Sequence, residues 1–172
     1  MLGPNTYPNV LAVPPIDGVK YAVNVPLTST EADIYNQLIA HPVPVLYNQS
    51  AEAIVTFTAQ GALASDTAYV VMQTDMGDNN WVDVAGCVWN GVTGQAAFTL
   101  SSVVAGALAI QQTRAAGTPP NGNFANAMML GGRIRFVGKA TTGTGSSSSS
   151  SSSGAVFPQI LATVVYRMLG LR

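Results

Sequence analysis

An all-β fold is what this sequence predicts: an antiparallel β-sandwich, jelly-roll-like, with an extended N-terminal arm. Three observations predict it. Tyr69 to Trp89, YVVMQTDMGDNNWVDVAGCVW, reads as two strands joined by a polar loop. About eight or nine short strand-like runs, separated by turn residues, follow one another along the chain, the pattern of a sandwich or barrel. After a serine tract the chain resumes at Val156 to Leu169 with a Val/Ile/Leu/Tyr-rich run, apolar on both faces, which is the mark of a well-covered strand and not of a tail.

Taken in order, residues 1–19 carry Pro4, Pro8, Pro14 and Pro15 among Asn and Gly. Proline fixes φ and removes a backbone donor, so this stretch reads as an extended arm. Residues 20–172 read as a single sandwich domain. Val19 to Val25 alternates like a strand. Thr30-x-x-Asp33 resembles a capping box before Ile34, Leu38 and Ile39, so 31–40 is a short helix or a strand. Val43 to Tyr47 is flanked and interrupted by Pro42 and Pro44, which places any strand there at an edge. Ala53 to Gln60 alternates cleanly, with Ile54, Thr56 and Thr58 opposing Val55, Phe57 and Ala59. The central hairpin follows. Strict alternation sets Val82, Val84 and Val88 on one face, expected to be the core, and Trp81, Asp83, Ala85, Cys87 and Trp89 on the other. Asp75 to Asn80 supplies the Gly, Asp and Asn that a turn needs. Gln95 to Leu100 and Gly106 to Arg114 read as further strands, Ala115 to Asn126 as a loop, and Gly132 to Lys139 as a strand. Residues 141–154 form a flexible Ser/Gly loop inside the fold, because a tract of this composition buries no apolar surface.

Composition narrows the function. The 172 residues carry 7 basic and 8 acidic side chains, and only 9% of residues are charged, against about 25% in a typical soluble domain. No apolar run approaches the roughly 18 residues of a membrane helix, so no membrane partner is expected. A chain this weakly charged is a poor colloid on its own, and the economical reading is that other protein covers much of its surface. Cys87 is the only cysteine, so an intrachain disulfide is excluded. MLGPNTYPNV has no basic segment followed by an apolar one, so no signal peptide is expected, and the Asn48-Gln49-Ser50 sequon is read as a chance match.

Residues able to do chemistry are few. Asp75, Asp78 and Asp83 flank the hairpin loop. Carboxylates at such a loop can hold a cation or a ligand, with Asp75 and Asp78 the nearest pair, but the spacing is not that of an EF-hand and turn capping is the simpler role. His41 is the only histidine and can complete neither a triad nor a histidine metal site. Cys87 sits mid-strand without a basic neighbour, as a packing residue does. None of the serines lies in a nucleophile elbow. No cofactor is implied and no enzymatic activity is expected. Arg133, Arg135 and Lys139 fall on one face of one strand. A net-negative chain with no aromatic platform among its basic residues is a poor nucleic-acid binder, so the stripe is read as salt bridging to an acidic neighbouring subunit. Trp81, Trp89 and Tyr69 are aromatic core, subunit interface or, if exposed in line, a sugar platform.

The hairpin VVMQTDMGDNNWVDVAG resembles a strand–loop–strand unit of tailed-bacteriophage virion proteins, in which a Q-x-S/T-x-D-G…W-x-D-V hairpin sits in a small β-sandwich. Asp78-Asn79-Asn80 stands here in place of the D-G turn. With the proline-rich arm and the Ser/Gly loop, the chain looks like a capsid decoration (cement) protein. That resemblance implies a non-enzymatic subunit made in the host cytoplasm and placed on the capsid surface. It implies the major capsid protein or other virion subunits as partners, and a homo-oligomer, with a trimer favoured. The rival expectation is a carbohydrate- or receptor-binding module of a fibre, tail or adhesin, using Trp81, Trp89 and Asp78.

Overall fold

A computed structural model of the chain describes residues 19–35, 42–45, 49–60, 65–91, 95–102, 114–126, 130–141 and 159–170. Ten strands form in these segments, and no helix: β1 (Val19–Pro26), β2 (Ala32–Asp33), β3 (Val43–Pro44), β4 (Gln49–Gln60), β5 (Thr67–Asp75), β6 (Trp81–Asn90), β7 (Gln95–Ser101), β8 (Phe124–Ala125), β9 (Arg133–Thr141) and β10 (Gln159–Gly170). They make a four-stranded sheet in the order β1-β10-β4-β7 and a six-stranded sheet in the order β2-β9-β5-β6-β8, with β3 also paired to β9.

All pairings are antiparallel. The pairs β1·β10, β2·β9, β4·β7 and β5·β6 are successive rungs of one ribbon whose closed end is the β5–β6 hairpin. Rolling that ribbon over sets β10 beside β4 in one sheet and β9 beside β5 in the other. This is the double Greek key of a jelly roll. β3 and β8 are two-residue additions to it.

The two sheets bury their facing sides against each other. In β4, Val55 and Phe57 are buried and their neighbour Ile54 is 54% exposed. The alternation of β4 therefore resolves as its sequence indicates. Phe57 stacks on Trp89 of the opposite sheet, ring centroids 6.3 Å apart. Tyr21 meets Phe136 edge-on at 4.9 Å. Met72, Ile134, Ile160 and Val164 complete the fully buried centre, each contributing about 1.5–3 kcal/mol by leaving water.

Strict alternation fails in β6. Met72 pairs with Ala85, but Gln73 pairs with Asp83, so Val84 is the extra residue of a β-bulge. Val84 and Ala85 both enter the core, and the faces of β6 exchange across them. Val82, Val84 and Val88 do not share a face, contrary to the alternation expected. Val84 is fully buried, Val82 is half-buried, and Val88 packs on the outer side with Tyr69, Val71 and Val137.

The described part of 31–40 contains the strand β2, not a helix. β3, with Pro44, lies at the sheet margin and pairs only with β9, as proline requires. Arg114 lies outside any strand; the rest of the strand expected at 106–114 lies outside the described residues, as do arm residues 1–18, His41 and loop residues 142–154.

Val84→Asp is expected to unfold the domain, because a carboxylate without a partner in this core costs more than about 3 kcal/mol. Val82→Asp, at a half-buried site, is expected to melt within a few degrees of the wild type. Thermal denaturation followed by circular dichroism distinguishes the two.

Candidate functional site

The outer face of the six-stranded sheet gathers Arg133, Arg135, Lys139, Asp75 and Asp83, with Arg114 and Glu31 packed against it. Pairing across β9, β5 and β6 lays it out in four rows. Arg133, Asp75 and Trp81 form the first row, and Arg135, Gln73 and Asp83 the second. Val137, Val71 and Gly86 form the third, and Lys139, Tyr69 and Val88 the fourth. Antiparallel partners share a face, so each row is a set of side-by-side side chains.

Residues 114–126 cover the lower rows. Arg114 reaches down from this segment with a side chain only 4% exposed. Its Nη1 lies 2.5 Å from Glu31 Oε2, its Nε 2.8 Å from Asp83 Oδ2, and its guanidinium carbon 5.3 Å from the centre of the Tyr69 ring. Tyr69 donates its hydroxyl to Glu31 at 2.8 Å. Burial and the bond to Glu31 push the Tyr69 phenol up from its ordinary value. Burial alone would lower the Arg114 pKa, but the bond to Glu31 and the charges of Asp83 and Glu31 outweigh it and raise it. Lys139 Nζ donates to the Gly117 carbonyl at 2.7 Å, Asn126 Nδ2 to the Asp83 carbonyl at 2.8 Å, and the Val88 amide to Asn123 Oδ1 at 2.9 Å. Phe124 lies against Gly86, where a Cβ would come within 2.3 Å of its ring. Glycine at 86 is what lets Phe124 cover the third row.

The upper rows are left half-exposed. Trp81 carries two guanidiniums, with the Arg135 carbon 4.1 Å and the Arg133 carbon 5.4 Å from its ring centre. Such contacts contribute about 0.5–2 kcal/mol each, more as they are desolvated. Arg133 also pairs with Asp75 and with Asn79 Oδ1. Arg135 donates Nε to Gln73 Oε1 at 2.9 Å, and Gln73 Nε2 donates to Asp83 Oδ1 at 2.7 Å. Burial lowers the Arg135 pKa. Where the covered and open halves meet, Gln73, Trp81, Val82, Asp83, Arg114, Ala116 and Asn126 line a cavity of about 270 Å³.

The hairpin loop is closed on itself. Asp75 Oδ1 accepts from the Gly77 amide at 3.0 Å while Oδ2 takes Arg133. The Arg133 guanidinium holds the Asp75 carboxyl below the usual carboxylate range. Met76 N donates to Asn80 O and Asn80 N to Gly77 O. Asp78 and Asn79 adopt left-handed backbone at φ 54° and 61°, conformations that Asp and Asn tolerate best among non-glycine residues. Gly131 backs this end of the sheet, since a Cβ there would stand 1.8 Å from the Asp75 carbonyl oxygen.

Of the residues singled out from sequence, Tyr69, Trp81, Arg133, Arg135, Lys139 and Asp75 meet on this one face, and Asp78 lies exposed at its rim. Trp89 does not join them. It is 2% exposed, in the core against Phe57. A basic–aromatic platform does exist, unlike the sequence expectation, but Asp75, Asp83 and Glu31 sit within it. Cys87 is a packing residue, its thiol pushed up to about 12 by burial. No group of three His, Cys, Asp or Glu able to hold a metal ion occurs among the described residues. Arg114 was not anticipated; the one signal for it is an arginine beside a Gly/Pro/Asn loop in a chain that uses few charges. Comparison with protein-family models, with curated proteins and with solved structures finds no match to this chain.

Arg114→Met is expected to destabilise the fold by about 3 kcal/mol, because it leaves Glu31 and Asp83 as buried carboxylates without their counter-charge; urea denaturation measures this. Asp75 provides a pH test. Its depressed pKa contributes stability that is present above the ordinary aspartate value of about 3.9 and is lost as pH falls through the folded value. The melting temperature of Asp75→Asn is therefore expected to lie below that of the wild type at pH 7 and to converge with it near pH 2.

Proposed function

We propose that this chain is a non-enzymatic virion structural protein that decorates and stabilises a capsid shell. It docks on the major capsid protein or another virion subunit through the upper rows of the six-stranded sheet. The observation that carries the reading is the Trp81–Arg133–Arg135 cluster. Tryptophan and arginine are the residues most enriched where binding energy concentrates in protein interfaces. In a chain with 9% charged residues, Arg114, Arg133, Arg135 and Lys139 put four of the seven basic side chains on or over this face. The Arg114 pairs hold the neighbouring loop in place, so the platform is rigid before any partner arrives, which limits the ordering cost of binding. The jelly roll adds support by fold-level analogy, being common among viral capsid domains. A homo-oligomer, with a trimer favoured, belongs to this proposal.

The rival is a carbohydrate-binding module, since lectin domains share the jelly roll. Against it, the Arg135 guanidinium lies 4.1 Å over the indole of Trp81, where a sugar ring would stack, and the second tryptophan is buried in the core.

Trp81→Ala is expected to fold normally and to weaken rebinding to particles stripped of the protein by about 30-fold, the effect of losing an interface anchor worth about 2 kcal/mol. Sedimentation of labelled protein with particles measures it. Wild-type protein that ignores such particles but binds members of a glycan panel in a Trp81-dependent manner would transfer the reading to the carbohydrate module.

A further inference from the structure

The three cations of β9 are not equivalent. Arg133 is matched internally by Asp75 and Asn79. Lys139 is engaged by the Gly117 carbonyl under the covering segment. Arg114, above them, has Glu31 and Asp83. Arg135 has no carboxylate within ion-pair distance among the described residues. Its one side-chain hydrogen bond among the described residues runs from Nε to Gln73 Oε1, and its flat face rests on Trp81.

We infer that Arg135 is the seat of a carboxylate supplied by the partner, an Asp or Glu side chain received end-on by the two Nη groups. This rests on the reading of the upper rows as the docking face and names the chemistry of what docks there. The argument is charge complementarity with geometry. A guanidinium offers two parallel N–H donors to a carboxylate, and this fork is stronger and more directional than a contact with an ammonium. Here the fork is held on two sides. Gln73 fixes its Nε edge, and Gln73 is itself fixed by Asp83 at 2.7 Å, which Arg114 clamps in turn. Trp81 fixes the plane. The outer edge is left with its Nη donors, and none of these has a hydrogen-bond partner among the described residues. The position is also half-buried, so the charge has lost part of its hydration; its pKa is lowered because that burial outweighs the charges of Asp33, Glu31 and Asp75, none of which is within ion-pair distance. A bound carboxylate restores what burial removed. The adjoining cavity of about 270 Å³, bordered by Trp81 and Gln73, leaves room for the side chain next to the acidic residue in the partner segment.

The test titrates the full chain with a hexaglutamate peptide and follows the arginine Nε–Hε signals by NMR. The expected result is a saturable shift of the Arg135 signal with little change at Arg167, which is already paired with Glu52 on the opposite sheet, and no shift with hexaglutamine. Equal movement of Arg135 and Arg167, or none at Arg135, overturns the inference. Particle rebinding then separates the two levels of the argument. Arg135→Lys keeps the charge and removes the fork, and is expected to weaken rebinding at least tenfold. If Trp81→Ala weakens rebinding and Arg135→Lys does not, the docking face stands and the carboxylate inference fails. If neither variant changes rebinding, the docking face itself is wrong and the inference fails with it.

Discussion

One extra residue in β6 decides which tryptophan the sandwich buries and which it carries on its outer face. The bulge at Val84 turns both Val84 and Ala85 inward and exchanges the faces of the strand on either side. Trp81 and Trp89 are eight positions apart and would share a face in a regular strand. With the bulge, Trp89 becomes the stacking partner of Phe57 in the centre of the sandwich, and Trp81 becomes the outer platform for two arginines. Bulges bend a strand, increase its twist and re-aim side chains, and they concentrate near functional sites for that reason. A single register shift thus supplies the core with its largest ring and the outer face with a half-exposed indole.

A second constraint follows from scarcity of charge. In a chain with so few ionised groups, each charge that is buried must be matched nearby, because an unmatched one costs several kcal/mol. Arg114 meets this requirement by joining three places far apart in sequence: Glu31 beside β2, Asp83 in β6, and the segment that carries Arg114 itself. Its pairs flatten residues 114–126 over the lower rows of the sheet. They also anchor the chain of contacts from Asp83 through Gln73 to Arg135. The network that closes half of the face therefore orients the groups on the other half.

These two features give the proposed interface its character. It is a rigid, half-covered sheet face, not a flexible loop surface, and its polar groups are largely paired before binding. Such a surface gains affinity from preorganisation more than from area. It also discriminates. A basic group placed at Arg135 would meet a like charge, whereas a carboxylate would find a donor fork already in place.

The sequence by itself determined the fold class. Period-two alternation in β4 and β9, turn residues between short apolar runs, and the doubly apolar β10 each report a local preference that the sheets satisfy. The grouping of Arg133, Arg135 and Lys139 was equally legible, because β9 runs without a bulge. Asp75 was legible as a turn cap from its place before Met76 and Gly77. Tertiary structure decided the rest. Which of two consecutive residues a strand leaves unpaired depends on its neighbour's register, so the bulge at Val84, and with it the separation of Trp81 from Trp89, has no local signal. The role of Arg114 was equally hidden, since its partners lie 83 and 31 residues away and only the rolled ribbon brings them together. Alternation is a property of one strand; a bulge and a buried ion pair are properties of strands meeting.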